Sequence, residues 1–365
     1  MCRTDGAEKI INYRGLDANL KIKLLDMDIG ELKRFAAEIG EPEYRAEQIM
    51  SWLIRGAEIQ EMTNLPLRLR ERLSETAETG LPRIKRKLVS RLDGTVKYLF
   101  MLEDGQCVES VVMQYEHGRS ICVSSQAGCR MGCRFCASTL GGLVRNLRPN
   151  EILGQIIAAQ RDCGGRIDSI VLMGIGEPLD NYDNVMKFLH LVGNPGGLNI
   201  GYRHISLSTC GLADKIERLS HEGYPVTLSV SLHAVCDEER SELMPVNKSY
   251  NLEKLLGACA DFFRTTGRRI SFEFTLIAGR NDDIEHAARL AKLLKKNMKG
   301  APFHVNLIPV NEVEGKPYRK SPRAAQFRDE LLRLGVNATV RRRLGSDINA
   351  SCGQLRREYS GEMPI

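Results

Sequence analysis

The sequence predicts an α/β fold: a partial (β/α)6 TIM-like barrel with a small N-terminal helical domain and a β-hairpin extension. Three observations predict it. Between residues 119 and 345, short apolar runs alternate with amphipathic helical stretches, the pattern of βα units around a buried parallel sheet. Polar residues gather where those runs end, at Gly176-Glu177, Ser208, Ser231 to His233 and Asn311, which places them on one rim of a full or partial barrel. Ahead of this region the chain changes character, from helical periodicity over 24–84 to alternating strands over 85–118. A doubly wound sheet shares the βα alternation; the common rim favours the barrel.

Taken in order, residues 1–23 are a tail that opens MCRTDGAEKIINYRGLD and lacks an apolar signal core. In the helical domain, EPEYRAEQIMSWLIRG carries Tyr44, Ile49, Met50 and Leu53 at helical spacing and stops at Gly56. The extension KYLFMLEDGQCVESVVMQYEHGRSICVSS breaks at Asp104-Gly105 and His117-Gly118, dipeptides suited to hairpin turns. The helices of the barrel region read as PNEILGQIIAAQRD, NYDNVMKFLHLVG, LADKIERLSHEG, NLEKLLGACADFFRTTG, IEHAARLAKLLKKN and SPRAAQFRDELLRLG. Its strands read as DSIVLMGIG, HISLSTC, VTLSVSLHA, RISFEFTLIAG, FHVNLIPVN and NATVRRR. Residues 346–365 form a C-terminal segment beyond the barrel.

The 365 residues are 42% hydrophobic and 27% charged, enough to bury a sizeable core. A net charge of +6 is mild: compatible with a polyanionic partner, not proof of one. No apolar run approaches the ~20 residues that a membrane-spanning helix needs. A cytoplasmic chain with no membrane partner is therefore expected. Eleven cysteines in such a chain point to metal or redox chemistry rather than a disulfide framework.

The stretch GCRMGCRFCAS at 128–138 spaces Cys129, Cys133 and Cys136 as C-x3-C-x2-C. Closed zinc sites and most iron–sulfur clusters take four protein ligands. Three thiolates leave one position open for an outside ligand. A zinc knuckle borrowing a distant fourth ligand is the structural alternative, but a 4Fe–4S cluster fits closely spaced thiolates better. Glycine at Gly176, after a buried strand in MGIGEP, allows close backbone approach to a ligand, and Glu177 is suited to accept from a bound ammonium.

The triplet, with the aromatic Phe135 before its last cysteine, resembles the radical S-adenosylmethionine (SAM) superfamily. That resemblance implies a radical-SAM barrel, a 4Fe–4S cluster on Cys129, Cys133 and Cys136, and SAM on the open iron. It implies SAM contacts from Gly176, Glu177, Ser208, Ser231, Leu232, His233 and Asn311. A 5′-deoxyadenosyl radical would follow from cleavage of the sulfonium. CVSSQAGC, CRFCAS, RNLRPNEI, GEPLDNYDNV, SLHA, NLIPVN and the tail DINASCGQL together resemble the RlmN/Cfr family of radical-SAM rRNA adenine methyltransferases, over about residues 24–357.

The family resemblance implies methylation of adenine C2 in 23S rRNA and in some tRNAs. Two SAM molecules would be used per turnover, one as methyl donor and one as radical source. By position, Cys352 would carry the methyl as S-methylcysteine, Cys122 would resolve a covalent RNA adduct by disulfide formation, and Glu109 would accept the ring proton. It also implies an electron donor such as flavodoxin or ferredoxin, and a monomer. C8 methylation of the same adenine is the alternative within the family, and a non-enzymatic metal-cluster RNA-binding protein the alternative outside it. Cys2, Cys107, Cys163, Cys210, Cys236 and Cys259 are read as bystanders. Arg145, Arg148, Arg341, Arg342, Arg343, Arg356 and Arg357 are candidates for phosphate contacts, and the helical domain, with Lys and Arg on its outer positions, for RNA docking.

Overall fold

A computed structural model describes residues 21–313 and 315–354; Cys2, Arg356 and Arg357 lie outside them. The N-terminal module runs β1 (Ile22–Lys23), α1 (Ile29–Glu38), α2 (Tyr44–Leu53), α3 (Leu67–Thr76) and β2 (Ala77–Glu78), with β1 and β2 paired in parallel. Asp28 caps α1 in a capping box with Glu31, and the helix buries Leu32, Phe35 and Ala36. In α2 the helical spacing puts Ile49, Met50 and Leu53 inside. Tyr44, read as part of the same stripe, is instead 53% exposed. It stands at the first position of α2, where no preceding turn covers it, and stacks with the Arg45 guanidinium.

The extension is a meander of β3 (Arg83–Val89), β4 (Val96–Met101) and β5 (Cys107–Tyr115), antiparallel throughout, and β5 pairs antiparallel with β6 (Gly118–Cys122). The extension leads into the main sheet and continues it. β6 is the first strand of a parallel series. It pairs with β9 (Ser169–Leu172), followed by β10 (Ile205–Thr209), β11 (Thr227–Ser231), β12 (Ile270–Leu276), β13 (Phe303–Pro309) and β14 (Ala338–Val340). A short antiparallel pair, β7 (Gln126–Gly128) and β8 (Leu143–Asn146), lies outside this sheet.

Six helical crossovers join the seven parallel strands: α4 (Pro149–Cys163), α5 (Tyr182–Gly193), α6 (Ala213–Ser220), the pair α7 (Asp237–Leu243) and α8 (Leu252–Thr266), α9 (Ile284–Met298) and α10 (Ala324–Arg333). This is a partial barrel: the ten-stranded sheet ends on β14 at one edge and β3 at the other. The α7 helix was not legible in the sequence, because DEERSEL is short and polar.

Strand alternation builds the interior. On β11, Leu228 and Val230 are fully buried, while Ser229 and Ser231 occupy the alternate positions. On β12, Phe272 and Phe274 belong to the apolar core, each contributing about 1.5–3 kcal/mol by burial. Ser271, Glu273 and Thr275 take the other face, which is polar and lines the barrel. After β14 the chain crosses to the opposite edge. Asp347 accepts from Ser90 Oγ at 2.7 Å and from the Arg91 N–H at 2.9 Å, and Asp93 accepts from the Gly345 N–H at 2.9 Å. The C-terminal segment is thereby tied to the β3–β4 turn, across the gap that the sheet leaves open. Among the described residues no helix is long and apolar enough to cross a membrane.

Candidate active site

The cysteine loop is held at its base by β7 and β8. Gly128 ends β7 with φ +82°, and a Cβ there would stand 1.9 Å from the Gly142 carbonyl oxygen. Only glycine permits that approach, which lets the Cys129 N–H donate to the same carbonyl at 3.0 Å. Thr139 Oγ1 donates to the carbonyls of Cys133 and Cys136. The loop is anchored outward as well: the Arg134 N–H donates to Leu243 O, and the Ala137 N–H to Gly353 O at 2.8 Å. The second bond carries the C-terminal segment to the cysteine loop.

Cys129, Cys133 and Cys136 line one cavity together with Gly176, Glu177, Ser208, Ser231, His233, Asn311 and Cys352. Burial raises all three thiols, Cys129 to about 12; repulsion from the other cluster thiols adds to this for Cys129 and Cys133, and from Cys352 for Cys136. Such thiols stay protonated unless a cation is added. Among the described residues no three His, Cys, Asp or Glu side chains form a group able to hold a single metal ion. The three thiols instead border a shared space, the arrangement that suits a cluster with a separate iron for each cysteine. The donor set fits a 4Fe–4S cluster.

The rim residues arrive from successive strand ends. Gly176, at φ +110°, lies so close to Gln126 that a Cβ would sit 2.6 Å from that residue's Cβ. Gln126 Oε1 accepts from the Glu177 N–H at 2.8 Å. The Glu177 carboxylate in turn accepts from the Cys210 N–H at 2.7 Å and the Leu179 N–H at 3.1 Å. Glu177 therefore locks the end of β10 to the loop after β9, with part of its acceptor capacity already spent. Burial raises its pKa, and the Cys210 N–H pulls the other way. Leu232 does not reach the cavity. It is fully buried in the core, with its N–H on Glu273 O.

His233 has a left-handed backbone, φ +59°, and its ring meets Phe135 edge-on at 4.9 Å. Its Nδ1 accepts from the Thr275 N–H at 3.0 Å, which assigns the ring proton to Nε2. Burial, then the Arg240 charge, lowers its pKa to about 3. The unfolded chain thus binds a proton below about pH 6.5 that the folded chain refuses. Stability should be full above that pH and fall as the pH drops towards 3. Urea titrations across this range should show the slope in wild type and lose part of it in His233→Gln; an unchanged slope would refute the assignment.

A second cavity adjoins the first. It is lined by Val111, Met113, Tyr115 and Cys122 on one side, and by Lys320, Arg328, Arg342 and Arg343 at its basic margin. Met173, Ile308, Asn311, Arg341 and Cys352 border both cavities and so form the wall between them. Asn311 Nδ2 donates to the Cys352 carbonyl at 2.9 Å, fixing the segment in that wall. The structure thus brings Cys122 and Cys352 to one place from distant parts of the chain.

Glu109 lines neither cavity. It is buried in β5, paired with Lys97 at 3.0 Å, and Lys97 also donates to Asn349 O. Of the arginines, Arg145 is engaged by Asp104 and Glu151, and Arg148 lines a separate groove beside the N-terminal module. Arg342 and Arg343 are exposed at the second cavity. Two residues of the site, Glu273 and Arg240, went unnoticed in the sequence. Glu273 is a buried carboxylate in the first cavity, and its signal was a charge inside the apolar strand ISFEFTL. Cys210, read as a bystander, lines the same cavity. Arg240 is fully buried behind the rim, and a lone arginine in DEERSEL carries no sign of that.

A βα partial barrel with three thiols at its mouth and a polar rim defines a radical-SAM enzyme, and the description "Radical SAM superfamily" matches residues 123–291. The "Ribosomal RNA large subunit methyltransferase N-terminal domain" matches residues 22–79. A protein of Desulforamulus reducens named "Probable dual-specificity RNA methyltransferase RlmN" is 48% identical over 94% of this chain and 98% of its own. One of the same name from Clostridium botulinum (strain Eklund 17B / Type B) is 50% identical over 92% of this chain and 96% of its own. The crystal structure of a radical SAM methyltransferase from Sphaerobacter thermophilus superposes with a TM-score of 0.88 at 40% identity, covering 92% of this chain and 100% of that one. The chain belongs to the RlmN family of radical-SAM RNA methyltransferases.

Proposed function

We propose that this enzyme methylates C2 of adenine in 23S rRNA and in some tRNAs, through S-methylated Cys352 and a covalent RNA adduct resolved by Cys122. One observation carries the reading: Cys352 stands in the wall shared by the thiol-lined cavity and the cavity that holds Cys122. The "dual-specificity" in the relatives' names supports the pair of RNA substrates.

Cys129, Cys133 and Cys136 would hold the 4Fe–4S cluster, and Gly176, Glu177, Ser208, Ser231, His233 and Asn311 would line the SAM site. Leu232 would act through its backbone alone. When bound, these groups supply the methyl that loads Cys352 and the radical that activates it, at a cost of two SAM molecules per turnover, with an electron donor such as flavodoxin or ferredoxin. Cys352 then carries the one-carbon unit to the ring. The ring proton goes to Glu109; its place on β5, two residues before Val111, which pairs with Cys122, supports that role. Cys122 attacks the Cys352 sulfur and frees the methylated base. The exposed Arg342 and Arg343 would neutralise phosphates as the target adenine is flipped into the second cavity. The protein would work as a monomer in the cytoplasm.

The test has two arms. Mass spectrometry of protein isolated from cells should find a methyl on Cys352, and mapping of product RNA should place the new methyl on C2. An unmodified Cys352 in active enzyme, or a methyl on C8, would overturn the reading. In addition, Cys133→Ala should yield colourless protein after anaerobic reconstitution where wild type is brown; a brown variant with the wild-type spectrum would remove Cys133 from the cluster.

A further inference from the structure

Arg341 is left without a role by the scheme above. It follows β14, stands in the wall beside Cys352, and is held by its backbone N–H on Leu307 O at 2.9 Å. Its guanidinium bonds weakly there. Nη1 donates to the Met173 thioether at 3.2 Å, a poor acceptor, and lies 3.9 Å from Glu273 Oε2, beyond hydrogen-bond reach. Glu273 is already bonded by Asn306 at 2.7 Å and Ser271 at 3.1 Å. A half-buried guanidinium so loosely bonded, bordering the cavity of each catalytic sulfur, suits an anion that exists only during the reaction.

We propose that Arg341 is a positioning residue that holds Cys122 as the thiolate while it attacks the sulfur of Cys352, an inference that rests on the methyl-transfer reading. In that step the thiolate pair forms the S–S bond as the Cys352 S–C bond breaks. The C–S pair stays on the product carbon, which takes up a proton to complete the methyl, and the two cysteines are left as a disulfide. Only the thiolate is an effective nucleophile, and the surroundings oppose it. Cys122 packs against Val111, Met113, Ile175 and Ala350. The charged and titratable groups that share its cavity are Cys352 from the C-terminal segment, Arg341 to Arg343 after β14, Tyr115 at the end of β5, and Lys320 and Arg328 at the margin; of these, Cys352 and Arg341 act on the thiol. Burial, and then the neighbouring Cys352, push the Cys122 thiol up to about 12 even though the Arg341 cation draws it back.

The reduced full-length chain, treated with oxidised glutathione, reproduces the attack without RNA or SAM. Glutathione caps the half-buried Cys352, and Cys122 then displaces it from that sulfur. Formation of the Cys122–Cys352 disulfide is followed by mass spectrometry from neutral to alkaline pH, for wild type, Arg341→Met and Arg341→Lys. A loss of the cation that raises the thiol by about one pH unit makes Arg341→Met about tenfold slower at neutral pH. Its rate should recover as the pH is raised, and Arg341→Lys should stay near wild type. Superimposed pH profiles for wild type and Arg341→Met overturn the proposal, as does a lysine variant no faster than the methionine one. Should Arg341→Met not fold, Arg341→Gln replaces it with the same expectations. Failure here leaves the methyl-transfer reading standing, because that reading is tested by adduct trapping in Cys122→Ala.

Discussion

Cys122→Ala is expected to abolish turnover and to leave RNA covalently attached to the protein at Cys352. The substitution removes the nucleophile but little volume, and Cys122 sits among Val111, Met113, Ile175 and Ala350, where alanine is tolerated. Every step before the attack on the Cys352 sulfur should therefore proceed. Under denaturing electrophoresis with labelled RNA, the variant should show a band of protein–RNA mass that wild type lacks, and methylated RNA should fall by at least about a thousandfold, as for loss of a covalent catalyst. Cys352→Ala should give neither band nor product. Free, unmodified RNA from Cys122→Ala would show that this cysteine acts earlier than resolution, and normal product would remove it from the mechanism.

The second large effect is on stability. Arg240 is fully buried and spends its donors on five acceptors: Leu232 O, Asn247 Oδ1, Tyr250 O, Cys210 O and Ser231 O. Its contacts thus pin the ends of β10 and β11 to the region after α7. Each acceptor left unpaired costs about 1–3 kcal/mol. Relief from no longer burying a cation offsets several. Arg240→Met should therefore lose about 3 kcal/mol in urea denaturation, and Arg240→Lys should recover only part of it, since one ammonium cannot reach acceptors arranged for a planar fork. A loss below about 0.5 kcal/mol in the methionine variant would show that the rim stands without this strut.

Much of the fold was legible because it rests on local pattern. Glu273 could have been found: one carboxylate in ISFEFTL alternates with phenylalanines that must face the helices, so it must face inward. Arg240 could not, because nothing in DEERSEL distinguishes an arginine that will be swallowed by the rim from one that meets water. Arg341 was visible only as the first of three arginines, all candidates for phosphate. Its position after β14 turns it into the wall, while Arg342 and Arg343 stay exposed. Leu232, carried in with its neighbours in SLHA, turned out to face the core, because adjacent residues at a strand end need not share a face.

By itself the sequence determined the alternation of barrel strands and helices other than α7, the three clustered thiols and the rim of polar strand ends. Hydrophobic period and short-range spacing act over a few residues and survive in the unfolded chain. Only the tertiary structure decided which distant groups share a wall. The sheet stops short of closure between β14 and β3, and the segment that spans this gap carries Cys352 to Cys122, with Arg341 beside it. That meeting depends on where a barrel fails to close, a property of the packed sheet that no local run of residues encodes.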